Sequence, residues 1–224
     1  LLAPYLEPAQ REHLQALADT MHAPLFGSPL DSVELMWMLR PYLARALAES
    51  TTMHGVFLEV LGVGVMLTGD SGVGKSELAL ELISRGSGLI ADDVIELYRI
   101  APETLEARCP PLLRDFLEVR GLGVLNIRTI FGEAALRPRK NLNLIVHLEK
   151  PVEAQSVERL PLKPGFQEIM GVGIGKVTIP VAAGRNLAVL VEAAVRNHVL
   201  QLRGIDSTRD FIARQSQHMN NDDT

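Results

Sequence analysis

The stretch that decides the fold of this chain is Val63-Gly64-Val65-Met66-Leu67-Thr68-Gly69-Asp70-Ser71-Gly72-Val73-Gly74-Lys75-Ser76. Its first part, residues 63–68, is apolar and rich in β-favouring side chains, which predicts a strand. Its second part, residues 69–76, fits G-x-x-x-x-G-K-[ST] at every fixed position. A helix is predicted to follow over 76–84, because apolar residues recur there on one face. This order predicts a phosphate-binding turn between a strand and a helix.

The glycine-rich turn is suited to hold a polyphosphate. Glycines let the backbone curl so that several N–H groups point into one concavity, and the positive end of the next helix adds to the attraction for anions. Lys75 can reach the terminal phosphates, and the Ser76 hydroxyl can join the coordination shell of Mg²⁺. The alternative is a turn that binds nothing, which the flanking strand and helix disfavour. Residues 69–76 therefore predict a P-loop, a motif shared by GTPases, motors and kinases.

The rest of the chain predicts an α/β domain around this motif. A strand at 56–60 pairs with the strand at 63–68 as a hairpin around Leu61-Gly62. A glycine-rich run at 171–175 is interpreted as a mobile loop. The other predicted elements are strands at 89–91, 94–98, 142–148 and 176–181, a helix at 187–202, and a last helix opened by the capping pattern Ser207-x-x-Asp210.

The first fifty residues differ in texture from those that follow. Helical spacing is present at 8–18 and 32–48, and residues 49–52 are interpreted as a short linker. We expect residues 1–50 to be the tail of a smaller N-terminal domain and residues 51–224 to be the main domain. Because the sequence starts with Leu rather than Met, we expect a piece of a longer protein.

Composition excludes several classes of function. The 224 residues are 47% hydrophobic with a net charge of -5 and no long basic run, which disfavours nucleic acid as a partner. No apolar run approaches the ~20 residues needed to cross a bilayer, and early charged residues argue against a signal peptide. Cys109 is the only cysteine, which excludes an internal disulfide and a cysteine-based zinc site and favours the cytoplasm.

A pair of carboxylates, Asp92-Asp93, is the first candidate beyond the P-loop. A carboxylate at a strand end near a P-loop can hold Mg²⁺ or orient an attacking hydroxyl. Successive strand residues point to opposite faces, so both reach the site only if the strand bends or ends there. A polar pair at a turn is the alternative. His54 and Glu118 are equally compatible with surface positions.

A locally basic stretch follows the acidic pair. It is either an exposed face or a surface for phosphate or an acidic partner. Its members are Arg120, Arg128, Arg137, Arg139 and Lys140.

Taken together, the motifs resemble the bifunctional HPr kinase/phosphorylase family over about residues 53–214. The block at 117–123 is far more specific to that family than the P-loop is. The blocks that carry the resemblance are Met53-His54-Gly55-Val56, residues 68–77, Ile90-Ala91-Asp92-Asp93, Leu117-Glu118-Val119-Arg120-Gly121-Leu122-Gly123, Glu158-Arg159-Leu160, and residues 180–188.

The resemblance implies a fold and an activity. The fold is an α/β P-loop nucleotide-binding domain like that of phosphoenolpyruvate carboxykinase. The activity is protein serine kinase/phosphorylase. It phosphorylates a serine of HPr, the carrier protein of the sugar phosphotransferase system, from ATP or pyrophosphate, and reverses this with inorganic phosphate to give pyrophosphate. The family also implies Mg²⁺, a homo-hexamer, a cytoplasmic location and a role in carbon catabolite regulation.

The resemblance also implies roles for individual residues. Asp93 would be the general base, taking the serine proton forward and returning it in reverse, with His54, Lys75 and Arg159 completing the catalytic set. Ser76 and Glu118 would contribute to the Mg²⁺ site. The phosphates would be held by Gly69, Asp70, Ser71, Gly72, Val73, Gly74, Lys75 and Ser76. A region serving both directions would be Leu117, Glu118, Val119, Arg120, Gly121, Leu122, Gly123, Val124, Leu125 and Asn126. A region tied to dephosphorylation would be Pro180, Val181, Ala182, Ala183, Gly184 and Arg185.

Two other functions remain open at this stage. One is a small-molecule kinase related to phosphoenolpyruvate carboxykinase, which a screen of metabolite acceptors would reveal. The other is a non-catalytic nucleotide-sensing module, in which Asp93→Asn would leave nucleotide binding intact and abolish no chemistry. The full set His54, Lys75, Asp93, Glu118 and Arg159 disfavours the second.

Overall fold

The computed structural model describes residues 6–150, 165–182 and 184–222 of the chain. Two compact units divide it, Leu1–Ala48 and Glu49–Thr224. The linker predicted at 49–52 is wrong, because these residues open a long strand. The assignment of residues 1–50 to an N-terminal domain stays a prediction.

The first unit contains two helices, α1 (Pro8–Thr20) and α2 (Ser32–Ala46), at the places where helical spacing predicts them. A carboxylate fixes the start of α2, because Asp31 accepts hydrogen bonds of 2.8 Å from the N–H groups of Val33 and Glu34. Neither helix buries a side chain.

The second unit is an α/β domain, as predicted. Eight strands of the described residues form one sheet in the order β7-β4-β3-β1-β2-β8-β10-β9, and β5 pairs with β6 in a separate hairpin. Strands β2, β8 and β10 run parallel, while the other neighbours are antiparallel. The elements are β1 (Glu49–Val60), β2 (Val63–Gly69), α3 (Lys75–Ser84), β3 (Gly88–Ala101), β4 (Thr104–Arg108), β5 (Phe116–Val119), β6 (Gly123–Asn126), α4 (Ile127–Phe131), β7 (Arg139–Asn141), β8 (Leu144–Glu149), β9 (Gly165–Ile169), β10 (Val172–Pro180), α5 (Leu187–Leu202) and α6 (Ser207–Asp222).

The sheet separates two apolar clusters, because successive strand residues alternate between its faces. Leu67 lies in one cluster and its neighbour Met66 in the other. The first cluster also contains Leu82 of α3, Val191 of α5 and Leu117 of β5. Helix α3 and the β5–β6 hairpin therefore pack on one face, which brings the loop before α3 and the hairpin together.

The β1–β2 hairpin and helix α5 agree with their predictions. The hairpin turns at Leu61-Gly62, where both residues have positive φ, 51° and 82°, as a two-residue turn matched to strand twist requires. Helix α5 begins and ends at the predicted residues. The last helix also begins as predicted, but its cap is Asp206, whose carboxylate accepts from the N–H groups of Thr208 and Arg209 at 3.1 and 3.2 Å.

Two predictions about strands are wrong. The two short strands at 89–91 and 94–98 are one strand, β3, which passes through Asp93 although that residue has φ 63°. The glycine-rich run at 171–175 is not a mobile loop, because β9 and β10 form a hairpin with Ile169 opposite Val172. Glycines alternate there with buried Val172 and Ile174, and that period of two belongs to a strand.

Within the described residues, none of the helices combines the length and apolar character needed to traverse a bilayer.

Candidate active site

A cleft of about 430 Å³ opens where the first turn of α3 meets β1, β3 and the β5–β6 hairpin. Its volume is in the range of small-ligand sites, ~300–1,000 Å³. It brings together segments that are far apart in sequence, and we call it the P-loop cleft. Its lining residues are His54, Gly55, Val56, Gly69, Ser71, Gly72, Gly74, Lys75, Ser76, Glu77, Asp92, Asp93, Glu118 and Arg120.

The loop at 69–76 connects β2 to α3 as the sequence predicts. Gly69, Gly72 and Gly74 have φ values of 138°, 74° and 100°, a region that side chains other than glycine's rarely adopt. At Gly69 a Cβ would also collide with the carbonyl oxygen of Leu148. The glycines are therefore required by the curl of the loop, a backbone shape in which N–H groups can converge on an anion.

Lys75 crosses the mouth of this loop. Its Nζ donates hydrogen bonds to the carbonyl oxygens of Gly69 at 2.9 Å and Asp70 at 3.0 Å. The ammonium group is thus held over the loop by its own backbone. A polyphosphate bound there would meet a positive charge already in position.

His54 and Asp93 face each other across neighbouring strands. With its proton on Nδ1, His54 donates to the Asp93 carbonyl oxygen at 3.2 Å, and the same nitrogen is 3.6 Å from Asp93 Oδ1. Both side chains are largely exposed, 84% and 77%. Exposed pairs of this kind stabilise a fold by only ~0–1 kcal/mol. The pair therefore adds little to stability, and both side chains are accessible in the cleft.

Asp92 connects β3 to the β5–β6 hairpin. Its Oδ2 accepts a hydrogen bond of 2.8 Å from the N–H of Glu118. Burial raises the pKa of the Asp92 carboxyl above its ordinary value. The charges of Asp93 and Glu118 add to the rise, while N–H groups of Glu118 and Asp93 oppose it. Both members of the acidic pair line the cleft because β3 takes a positive φ at Asp93.

The β5–β6 hairpin presents two polar side chains to the cleft. Leu117 and Val119 are buried in the core, so the alternation of the strand directs Glu118 to the other side. Arg120 begins the turn, and its guanidinium packs against Gly72 of the P-loop. Of the region at 117–126, Glu118 and Arg120 therefore reach the cleft, while Leu122 and Val124 are exposed.

The donors in the cleft fit Mg²⁺. This ion takes one or two carboxylates, with phosphate oxygens and water filling the remaining positions. Ser76 offers a hydroxyl, and Asp92, Asp93 and Glu118 offer carboxylates, in the same cleft. The described residues contain no cluster of three or more His, Cys, Asp or Glu placed to hold an ion unaided. Ser76 and these carboxylates suit an ion whose remaining ligands are phosphate oxygens and water.

The basic stretch divides between two roles. Arg128 pairs with Asp115 and Glu133, Arg137 and Lys140 pair with Glu59, and Arg139 is 3.8 Å from Glu106. Arg120 lines the P-loop cleft instead. The stretch is therefore mainly a set of structural ion pairs, with one arginine directed to the candidate site.

The described residues do not bring every predicted site residue to the cleft. Arg159 and Ala183 fall outside the described residues. The described part of the second region, 180–182 and 184–185, follows β10 and does not line the cleft. There the N–H of Val181 donates to the carbonyl oxygen of Glu149 at 2.8 Å, which ties the end of β10 to the end of β8.

Comparison with known proteins agrees with this geometry. The family model described as "HPr Serine kinase C-terminal domain" matches residues 45–215. This chain belongs to that family. A Nitrosomonas europaea protein named "HPr kinase/phosphorylase" is 66% identical over 208 residues, covering 92% of this chain and 64% of the relative. A protein of the same name from Chromobacterium violaceum is 64% identical over 208 residues, covering 91% and 65%. The chain thus spans a little less than two thirds of these relatives.

A solved structure of the HPr kinase family supports the fold. It is the Hpr(Ser) kinase/phosphatase from Coxiella burnetii, with a TM-score of 0.64 at 36% identity. The match covers 72% of this chain and 98% of that one. The predicted α/β P-loop fold is confirmed.

Sequence reasoning missed two contacts in the site. One is the hydrogen bond from Glu118 to Asp92, and the other is the packing of Arg120 on Gly72. The adjacent acidic residues marked Asp92 as a candidate. Residue spacing contained no signal that paired either residue with its partner, because each contact joins segments that are far apart in sequence.

Proposed function

We propose that this chain carries the catalytic site of a protein serine kinase/phosphorylase that acts on HPr. The observation that carries the proposal is the P-loop cleft, which joins the loop at 69–76, Asp93 and the polar end of the β5–β6 hairpin. Membership of the HPr serine kinase family supports the choice of protein substrate. The names of the Nitrosomonas and Chromobacterium relatives support both directions of the reaction.

The nucleotide phosphates are bound by the P-loop. Backbone N–H groups at 69–76 surround the phosphates, and the helix α3 begins at Lys75 with its positive end toward them. Lys75 leaves the carbonyls of Gly69 and Asp70 to contact phosphate oxygens. Ser76 and Glu118 would hold Mg²⁺. That ion neutralises phosphate charge when bound.

Asp93 receives the proton of the attacking serine. The serine Oγ forms a bond to the γ-phosphorus of ATP while the bond from that phosphorus to the β,γ-bridging oxygen breaks, and ADP leaves. The serine proton passes to the Asp93 carboxylate. Asp93 acts as the base through its position, within hydrogen-bond reach of the hydroxyl. The exposed side chain of Asp93 is accessible to a protein substrate.

Phosphorolysis uses the same groups in reverse. An oxygen of inorganic phosphate forms a bond to the phosphorus of phosphoserine, and the bond to serine Oγ breaks. The serine oxygen regains a proton from Asp93, and pyrophosphate leaves. His54, whose Nδ1 is 3.6 Å from Asp93 Oδ1, stabilises the ionised carboxylate between turnovers when it is protonated. Arg159 and the region at 180–185 complete this direction.

The assembly and cellular context are part of the proposal. A homo-hexamer and a cytoplasmic location follow from the family resemblance. The single cysteine of the chain agrees with a reducing compartment. Pyrophosphate replaces ATP as the donor when the reaction of inorganic phosphate runs backward.

A two-way assay tests the proposed function. The chain is incubated with Mg²⁺, purified HPr and ATP labelled at the γ-phosphate, and inorganic phosphate is then added. We expect label on HPr in the first step and labelled pyrophosphate in the second. HPr with its acceptor serine changed to alanine is the matched control. If the chain binds ATP but transfers no label to HPr, the proposed substrate is wrong.

A further inference from the structure

Arg120 occupies a position in the P-loop cleft that the other residues of the basic stretch do not share. The guanidinium groups of Arg128 and Arg137 and the ammonium of Lys140 meet carboxylates at 2.5–2.8 Å. Arg120 instead extends from the β5–β6 turn into a cleft whose opposite wall is the phosphate-binding loop. Arg120 is exposed to solvent, and together with Lys75 and the positive end of α3 it makes this part of the cleft attractive to an anion. The cleft therefore has a place for negative charge beside Arg120.

Gly72 is the residue against which Arg120 packs. A Cβ at position 72 would lie 2.9 Å from Arg120 Nη1 and 3.3 Å from Nη2. Gly72 is the fourth residue of the eight-residue loop, between the end of β2 and the start of α3. The absence of a side chain there lets the guanidinium approach the loop backbone. Any side chain at this position would displace it.

Two anchors fix the hairpin from which Arg120 extends. The buried side chains of Leu117 and Val119 hold β5 in the core. The N–H of Glu118 donates to Asp92 of β3 at 2.8 Å. The arginine therefore begins from a rigid position, which reduces the entropy lost when it binds an anion.

We propose that Arg120 is a catalytic residue that donates hydrogen bonds to the phosphoryl group in transfer. The inference rests on the proposed function, because the transferred group must lie between the P-loop and Asp93, and Arg120 lines that same cleft. The planar guanidinium contacts two non-bridging oxygens at once, a geometry that lysine does not reproduce. No proton moves to or from Arg120. It stabilises the charge on those oxygens while the bond to serine Oγ forms and the bond to ADP breaks.

Nucleotide affinity tests this inference without HPr. Dissociation constants for a non-hydrolysable ATP analogue and for ADP, each with Mg²⁺, are measured by calorimetry on the wild-type chain, Arg120→Ala and Arg120→Lys. We expect Arg120→Ala to weaken the ATP analogue by roughly 10-fold and ADP by less than about 2-fold, with Arg120→Lys closer to alanine than to wild type. Arg139→Ala, which removes an exposed arginine outside the cleft, should change neither.

Labelled transfer to HPr adds the catalytic readout. Arg120→Ala should lower kcat by roughly 10²–10³-fold, the effect of losing one donor to developing charge. Thermal unfolding of each variant checks that it folds. A variant that unfolds early is replaced by Arg120→Gln, which keeps a polar side chain of similar reach.

A double-mutant cycle separates a catalytic arginine from a structural one. Gly72→Ala should cost affinity for the ATP analogue in the wild-type background and much less in Arg120→Ala, because the displaced group is already absent. Gly74→Ala is the matched control. It also has a positive φ, 100°, but its Cβ would meet nothing within 4 Å. Its fold-loss should be the same in both backgrounds.

Three results would overturn the assignment. The first is that Arg120→Ala weakens the binding of ADP and of the ATP analogue equally, and the second is that it changes neither affinity. The third is that the losses of affinity caused by Gly72→Ala and Arg120→Ala are independent, so that the double variant shows their product. Failure of the proposed function is distinguishable from these. If Arg120 gives the chain its preference for the ATP analogue over ADP but the chain transfers nothing to HPr, the role of Arg120 stands and the proposed substrate is wrong.

Discussion

Two polar clusters along strand β1 differ in how their charges are satisfied. Near the end of the strand lies the Glu59 cluster, in which Glu59 is only 16% exposed and accepts hydrogen bonds from Arg137 Nε at 2.8 Å and Lys140 Nζ at 2.5 Å. In the middle of the strand, His54 faces Asp93 of β3; their side chains are 84% and 77% exposed, and His54 Nδ1 is 3.6 Å from Asp93 Oδ1. Arg137 and Lys140 neutralise the charge of Glu59, whereas the charged groups of the P-loop cleft are accessible to a ligand.

The pKa shifts in the Glu59 cluster and in the P-loop cleft have opposite directions. Burial would raise the pKa of Glu59, but hydrogen bonds and Coulomb attraction from Lys140 and Arg137 lower it overall. Burial raises the pKa of Asp92, and its acidic neighbours add to that rise. Folding therefore favours the charged form of Glu59 and disfavours that of Asp92. A carboxyl group in a cleft whose pKa is raised by burial and by neighbouring acids is a candidate for a functional site.

The largest effect is expected for Lys75→Ala. Removing the ammonium over the loop should lower kcat in both directions by roughly 10³-fold or more, since phosphoryl transfer depends on charge neutralisation. The melting temperature should change little, because the lysine contacts only loop carbonyls. Labelled transfer and thermal unfolding measure the two quantities. Lys176→Ala, outside the cleft on β10, is the control, and wild-type turnover in Lys75→Ala would contradict the account.

Asp93→Asn should follow in size. The amide cannot accept the serine proton, so kinase and phosphorolysis rates should both fall by roughly 10²–10⁴-fold. Nucleotide affinity should remain within about 2-fold, because only the base is lost. Steady-state kinetics and calorimetry on the same preparation test the separation. A variant that turned over like wild type would show that another group is the base.

In the Glu59 cluster, Glu59→Gln should destabilise the fold by about 2 kcal/mol, because it leaves two partly buried cations without a counter-charge. The melting temperature would fall by roughly 4–8 °C. The lowered pKa of Glu59 gives the pH dependence its sign. Its contribution is present above the ordinary glutamate pKa of about 4.3 and is lost as pH falls through the lower folded value.

Denaturant unfolding at pH 7 and at pH 3 measures the Glu59 effect. Wild type and Glu59→Gln should differ at pH 7 and converge in acid. Glu103→Gln, an exposed glutamate in the turn between β3 and β4, should match wild type throughout. If the stabilities of the two proteins differ equally at both pH values, the charge of Glu59 does not account for the difference.

Asp92→Asn should act on stability in the opposite direction. A raised folded pKa means that the ionised carboxylate costs stability once the pH has risen above it. The neutral amide should therefore stabilise the chain at pH 7 by about 0.5–1 kcal/mol, a value reduced for its partial exposure. The amide oxygen still accepts from Glu118. Unfolding at pH 7 measures the sign of the stability change, and a destabilised variant would contradict the contrast between the Glu59 cluster and the P-loop cleft.

The smallest effect is expected at Arg185, beyond β10. Arg185→Ala should slow phosphorolysis several-fold more than kinase activity, because the region at 180–185 is tied by family resemblance to the reverse direction. The two initial rates are compared on one preparation. Arg203→Ala, at the C-terminal end of α5, serves as a control. Equal losses in both directions would refute the division.

Much of the fold could be predicted from short-range patterns. The P-loop motif, the Leu61-Gly62 turn and the long apolar period of α5 are local signals, and each element appears where its pattern lies. The errors arose where pairing with neighbouring strands outweighed the local preference of the sequence. Asp93 looks like a break in a strand, yet pairing with Gly55 of β1 carries β3 through it. The glycines at 171–175 look flexible, yet Gly171 forms the β9–β10 turn, and pairing with β8 and β9 holds Gly173 and Gly175 in β10.

The candidate site was predicted as residues rather than as contacts. Lys75, Asp93 and Glu118 were found from motifs, and the structure places all three in one cleft. The sequence could not indicate that Asp92 holds the Glu118 backbone, because that bond depends on how the β5–β6 hairpin packs on β3. Long-range packing of this kind leaves no periodic trace in the chain.

A crystal structure of this chain with Mg²⁺ and a non-hydrolysable ATP analogue tests the central claim most directly. The account predicts phosphate oxygens on the N–H groups of residues 69–76, Lys75 moved from the loop carbonyls to the phosphates, and the Asp93 carboxylate facing the terminal phosphate with room for one hydroxyl. Phosphates bound elsewhere, or Asp93 directed away from them, would contradict it.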